Sequence, residues 1–181
     1  MPLDDALEIR LATPADLPPL CELIPLSVRG LSRGFYSDAQ IESAIRHIFG
    51  PDTQLIADRT YFVATVGGML VGCGGWSRRR TLFGGDQMKT ADDPLLDPTA
   101  EPARVRAFFV HPNWARRGIA GAILEACMKA ARATGFRRVE LVATLPGEPL
   151  YRAFGFDVLE RFEAVMPDGL TLPVVRMIRA L

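Results

Sequence analysis

Apolar residues recur with two periods along the chain, and these periods predict a mixture of strands and helices. Short runs rich in β-branched and aromatic residues indicate strands. The predicted strands are residues 7–11, 61–66, 69–77, 105–110, 138–143, 158–165 and 172–178. Gly67-Gly68 predicts a two-residue hairpin between the second and third strands. The crossover rule places strand 138–143 parallel to strand 105–110.

Apolar positions spaced by three and four residues predict helices, and capping residues mark where these begin. Thr13-Pro14-Ala15-Asp16 predicts a capping-box start with proline at the first helical position. We expect Pro25 to end or kink this helix. Ser37, with Gln40 as its capping-box partner, begins a second helix. Residues 29–36 lie between the two helices and predict a mobile loop with aromatic side chains.

The stretch 105–135 carries the clearest candidate chemistry. An apolar strand ends at His111-Pro112, and a helical pattern begins directly after Arg116, Arg117 and Gly118. The first amides of a helix lack partners and lie at the positive end of its dipole, so this junction predicts a phosphate site. Solvated arginines beside an ordinary loop glycine would give the same spacing. The three-glycine dinucleotide pattern and the glycine-lysine-serine phosphate loop are absent, which excludes Rossmann dehydrogenases and nucleotide hydrolases.

Composition adds few constraints. The chain has 181 residues, 49% of them hydrophobic, with 21 basic and 21 acidic side chains, so we expect one globular domain over residues 1–181. Zero formal net charge predicts neither a nucleic-acid nor a membrane partner. The acidic segment 1–5 has no signal-peptide core, and a cytoplasmic location is expected.

The three cysteines predict neither a metal site nor a redox pair. Cys21, Cys73 and Cys127 are far apart in the sequence and lack the close spacing of a zinc site or a CxxC motif. We therefore interpret them as small apolar residues of a protein in a reducing compartment, and expect no bound metal.

Two motifs resemble the GCN5-related N-acetyltransferases, the GNAT family. The segment Ala115-Arg116-Arg117-Gly118-Ile119-Ala120 is similar to the family's Arg/Gln-x-x-Gly-x-Gly/Ala at the opening of a helix, with Ala115 in place of Arg or Gln. Downstream, Leu150-Tyr151-Arg152-Ala153-Phe154-Gly155-Phe156 resembles the family's Leu-Tyr-x-x-x-Gly-Phe segment. The resemblance covers nearly the whole chain.

The resemblance implies an α+β fold and a co-substrate. The fold would be a mixed, mostly antiparallel sheet flanked by helices, with a splayed pair of parallel strands at the cofactor cleft. Acetyl-coenzyme A would bind there, its pyrophosphate on the loop from Ala115 to Ala120. Phe108, Phe109 and Val110 would supply main-chain contacts, with an amide near Phe109 or Val110 polarising the thioester carbonyl. Acceptors would be small-molecule or protein amines, and a homodimer is left open.

Acetyl transfer from a thioester needs an acid and a base but no covalent nucleophile. Tyr151 is the expected general acid for the departing thiolate, although a tyrosine packing the short helix 150–154 would give the same pattern. The base stays open among Glu140, Glu148, His111 and Asp86. A water relay would need none of them. A domain that senses acyl-coenzyme A without turnover is the alternative function.

Residues 78–103 predict an irregular loop, because prolines and glycines interrupt every periodic pattern there. Within residues 81–103 five acidic side chains face a single lysine: Asp86, Asp92, Asp93, Asp97 and Glu101 against Lys89. If this loop covers the acceptor side, its carboxylates would favour a cationic substrate. A solvated, mobile insertion is the alternative.

Overall fold

The computed structural model describes residues 6–90 and 92–181. The acidic segment 1–5 and residue 91 of the predicted loop lie outside the described residues. None of the helices within the described ranges is long and apolar enough to cross a bilayer.

Within residues 6–90 and 92–181, seven strands form one mixed sheet in the order β1-β2-β3-β4-β5-β7-β6. The strands are β1 (Glu8–Leu11), β2 (Tyr61–Val66), β3 (Met69–Ser77), β4 (Ala103–Val110), β5 (Arg138–Thr144), β6 (Asp157–Val165) and β7 (Thr171–Ala180). β4 and β5 are parallel, and the other neighbours are antiparallel. The predicted α+β class, the hairpin at Gly67-Gly68 and the parallel pair are confirmed.

In the described part of the chain, five α-helices flank the sheet. They are α1 (Leu17–Leu31), α2 (Asp38–His47), α3 (Thr53–Ala57), α4 (Ile119–Ala133) and α5 (Glu148–Ala153). The residues Pro14–Asp16, Asp86–Met88 and Pro112–Trp114 form short 3₁₀ helices. The side chain of Ser37 accepts a hydrogen bond from the Gln40 amide, which confirms the capping box at the start of α2.

Pro25 was expected to end or kink the first helix, and the first of these two alternatives is wrong. α1 continues through Pro25 to Leu31 and so includes the first residues of the predicted loop 29–36. Proline removes one helical hydrogen bond, but the buried residues on both sides of it, such as Ile24 and Val28, keep the helix packed on the sheet. α3 was not predicted, because five residues are too few for a periodic signal.

The sheet has a core on each face. α4 and α5 cover one face, where Ile119, Ile123 and Cys127 are buried as their spacing predicts. α1, α2 and α3 cover the other face, around Leu20, Ile24 and other apolar side chains. We call the second of these the α1 face. It also carries the long loop described next.

The loop between β3 and β4 is irregular, as predicted, but it is fastened to the protein. Arg106 on β4 pairs with Asp52, from Nε to Oδ2 at 2.8 Å, and donates from Nη1 to the Thr81 carbonyl at 2.7 Å. Lys89 bonds the same Asp52 carboxylate. Phe83 reaches Phe162 on β6, with 6.1 Å between ring centroids, so the loop lies across the α1 face.

The buried ion pair that holds this loop generates a stability prediction. Asp52 is fully buried and the Arg106 side chain is only 2% exposed, so Asp52→Ala leaves an uncompensated buried cation and removes the cap of α3. We expect a loss of about 3–5 kcal/mol in the free energy of unfolding, measured in urea. Glu42→Ala is the control, because its pair with Arg29 is half exposed, and such surface pairs contribute little to stability. Equal losses in the two variants would contradict this account.

Candidate active site

A gap opens between the parallel strands β4 and β5. The two strands pair at three positions only, of which the last is Val105 with Leu141. Beyond them β4 stays paired to β3 as far as Val110, but no strand of the described residues pairs with its other side. Ala107 has a φ of +64°, and the β3–β4 register shifts at this point, so a bulge turns β4 away from β5. This is the splay that the sequence predicts.

Backbone amides of β4 point into the gap. The His111 amide donates to the Val71 carbonyl on β3 at 2.8 Å, and alternation along an antiparallel ladder then directs the Phe109 amide to β3 as well. The amides of Phe108 and Val110 therefore face the gap. Val110 donates to the Ser27 hydroxyl of α1 at 3.1 Å. The amide that polarises the carbonyl was expected near Phe109 or Val110. The Phe109 amide faces β3 and the Val110 amide bonds Ser27, so the Phe108 amide is the nearest candidate that faces the gap.

The mouth of the gap carries a cluster of unbonded amides. Gly118 is the N-cap of α4, and the first bond of the helix runs from the Ala122 amide to its carbonyl at 3.0 Å. Within the described residues, the backbone amides of residues 116–121 have no acceptor in the protein. A Cβ placed on Gly118 would meet nothing within 4 Å. Six consecutive donors at the positive end of a helix are an arrangement that can bind an anion.

The side chains around this amide cluster follow the sequence prediction in part. Arg116, with a φ of +60°, and Arg117 are exposed beside it. Arg117 stacks on Trp114, with 4.9 Å from its guanidinium carbon to the ring centroid. Ala115 brings no polar side chain, while Ile119 is buried and Ala120 half-buried in the first turn of α4. The structure thus brings all six predicted loop residues to the mouth of the gap.

Tyr151 lies behind the gap in an aromatic cluster. Its ring contacts Phe108 at 6.3 Å and Phe156 at 5.7 Å between centroids, and 8% of the residue is exposed. Burial raises the pKa of the phenol well above its usual value, and the Cys127 thiol adds to the rise. Among residues 6–90 and 92–181 the hydroxyl has no hydrogen-bond partner. It therefore stays protonated and keeps its O–H available to a ligand.

None of the four candidate bases is free. Glu140 lies between Arg104 at 2.5 Å and Arg176 at 2.9 Å. Glu148 bonds Arg152 and Arg161, and the arginines hold its pKa below the usual range. The Nδ1 atom of His111 accepts the Asn113 amide at 3.1 Å, and Asp86 accepts the Thr53 amide at 2.9 Å. No group of three or more metal-ligating side chains lies together within the described residues either.

Tyr36 is a site residue that sequence reasoning missed. Its hydroxyl accepts the Leu145 amide at 2.9 Å and donates to the Pro173 carbonyl at 2.6 Å. It thereby joins the loop after α1 to the ends of β5 and β7. Segment 29–36 was predicted only as a mobile loop with aromatic side chains, because a side-chain bond across 109 residues leaves no local signal.

Comparison with known families decides what kind of protein this is. Residues 29–156, more than half of the chain, match the acetyltransferase (GNAT) family. The chain belongs to this family. No curated protein matches the sequence. The resemblance of the two sequence motifs to the GNAT family is thereby confirmed.

Solved structures agree on the fold. A GCN5-related N-acetyltransferase from Rhodopseudomonas palustris superposes with a TM-score of 0.72 at 19% identity, over 100% of this chain and 99% of that one. The PaiA N-acetyltransferase from Thermoplasma acidophilum, in complex with coenzyme A, gives 0.66 at 16% identity over 97% and 99%. The ribosomal-protein-S18-alanine N-acetyltransferase from Escherichia coli gives 0.59 at 15% over 97% and 94%. Identities this low establish the fold alone.

The amide cluster generates a binding prediction. Gly118→Glu places a carboxylate against the expected phosphate position, so we expect calorimetry to detect no binding of acetyl-coenzyme A to the folded variant. Gly169→Glu is a matched control, because Gly169 also has a positive φ and open space around its Cβ, but lies in the β6–β7 turn. Wild-type affinity in Gly118→Glu would contradict the phosphate assignment.

Proposed function

We propose that the protein is an acetyl-coenzyme A-dependent N-acetyltransferase that moves the acetyl group to a primary amine of a small molecule or protein. The observation that carries this proposal is the gap between β4 and β5, with the unbonded amides of residues 116–121 at its mouth. We also propose that residues 1–181 form one domain, since a single sheet takes strands from Glu8 to Ala180.

The residues of the gap fit the parts of acetyl-coenzyme A. The amides of residues 116–121 would hold the pyrophosphate, with Arg116 and Arg117 adding charge in place of the side chain that Ala115 lacks. The Phe108 amide and the exposed backbone edge of β4 would bond the pantetheine arm. The Val110 amide could join them once it exchanges its Ser27 partner for a pantetheine carbonyl. When bound, the co-substrate supplies an activated acyl thioester.

Two groups of the chain would assist the transfer. The Phe108 amide would donate to the thioester carbonyl, stabilising the negative charge that develops on its oxygen as the amine attacks. Tyr151 would give its proton to the sulfur as the carbon–sulfur bond breaks. The position of the ring supports this role, because it packs against Phe108, next to that amide.

The attacking amine must lose a proton as well. Since Glu140, Glu148, His111 and Asp86 are held by other partners, we propose that ordered water carries this proton to solvent. The same observation favours the alternative, a domain that binds acyl-coenzyme A without turnover. Thiol release measured over an amine panel, alongside calorimetry of the co-substrate, separates the two functions. Binding without release from any amine would favour the sensor.

The role of Tyr151 generates a kinetic prediction. Tyr151→Phe keeps the ring against Phe108 and Phe156 and removes only the hydroxyl, so we expect kcat to fall by about 10²- to 10⁴-fold. The affinity for acetyl-coenzyme A and the melting temperature should stay near the wild-type values. An unchanged kcat would assign the tyrosine to packing alone.

A further inference from the structure

The bulge in β4 lies opposite a single residue of β3. The two strands pair on both sides of the bulge, at Arg106 and at Phe109, and between these positions Ala107 and Phe108 together face Gly74. Two residues against one is the arrangement that defines a β-bulge. The extra residue decides which face of the sheet Phe108 occupies, because a shift of one residue along a strand turns every side chain to the opposite face.

The backbone on either side of Phe108 is held to β3. The Cys73 thiol donates to the Ala107 carbonyl at 3.5 Å. Cys73 is completely buried and is also the ladder partner of Phe109. The residues before and after Phe108 are therefore both fixed at one position of β3, and the backbone of Phe108 cannot shift without breaking one of these contacts.

The ring of Phe108 lies directly on Gly74. A Cβ added to Gly74 would come within 2.7 to 2.8 Å of three atoms of this ring, which is well inside van der Waals contact. The same ring contacts Tyr151, with 6.3 Å between the centroids and 75° between the planes. Phe108 can thus occupy its place beside Tyr151 only because residue 74 has no side chain.

We propose that Gly74 is a positioning residue of the active site, whose missing side chain sets the place of the Phe108 ring. The inference rests on the proposed acetyl transfer, in which the Phe108 amide bonds the thioester carbonyl and Tyr151 protonates the sulfur. A methyl group at position 74 displaces the ring. Because the neighbouring backbone is held to β3, this displacement changes the direction of the Phe108 amide and the packing of Tyr151.

The test is Gly74→Ala, with Gly75→Ala as the matched control. Neither glycine has a positive φ, so the backbone of both positions accepts alanine. A Cβ on Gly75 would be similarly crowded, at 2.8 Å from Leu55 and 2.9 Å from the Thr60 carbonyl. Leu55 belongs to the core of the α1 face, whereas Phe108 packs on the core of the other face. Both variants should therefore lose stability through overpacking, but only one displaces Phe108.

We expect kcat for acetyl transfer to fall about 10- to 100-fold in Gly74→Ala and to stay within about twofold of wild type in Gly75→Ala, measured where both are folded. Phe108→Ala removes the ring, so Gly74→Ala added to that variant should cause no further loss of kcat. Equal kcat in the two glycine variants would overturn the inference. The same loss from Gly74→Ala with and without the ring would overturn it as well.

A protein that transfers acetyl to no amine would contradict the proposed function, and crystal structures of the two glycine variants then decide the inference separately. The inference predicts that the centroids of Phe108 and Tyr151 leave their separation of 6.3 Å in Gly74→Ala and keep it in Gly75→Ala. An unmoved Phe108 ring in Gly74→Ala would contradict the inference.

Discussion

The candidate site depends on the short pairing between the parallel strands β4 and β5. β4 and β5 share only three paired positions, and the bulge at Ala107 then turns the edge of β4 away from β5. Backbone donors in a protein interior need partners, so an unpaired strand edge persists only where something else can bond it. Here Ser27 of α1 bonds one amide, and the Phe108 amide is left for a ligand. The helix start at Gly118 extends the same set of open donors to the mouth of the gap.

Contacts between distant segments fix the elements beside this gap. Tyr36 bonds the ends of β5 and β7 and prevents the ladder from closing one step further. On the α1 face, the pairs from Asp52 to Arg106 and Lys89 fasten the long loop across the sheet, and Phe83 of this loop packs against Phe162.

The sequence predicted the features that depend on local chemistry. Gly67-Gly68 has the glycines that a two-residue turn requires, and Ser37 and Gln40 form the predicted capping box. The start of a helix directly after Gly118 was also predicted from local sequence. What escaped prediction depends on contacts distant in sequence. The packing of α1 on the sheet keeps the helix intact through Pro25. The direction of the Phe109 amide is set by the register of β4 with β3. The two arginines that hold Glu140 were equally invisible, because they lie on other strands.

The central claim is that the gap between β4 and β5 is the acetyl-coenzyme A site. A crystal structure of the protein with coenzyme A tests it most directly. The account predicts phosphate oxygens about 3 Å from amides of residues 116–121, and the pantetheine arm between the strands, bonded to the Phe108 amide. Coenzyme A bound elsewhere, with the gap empty and the amides of residues 116–121 unbonded, would contradict it.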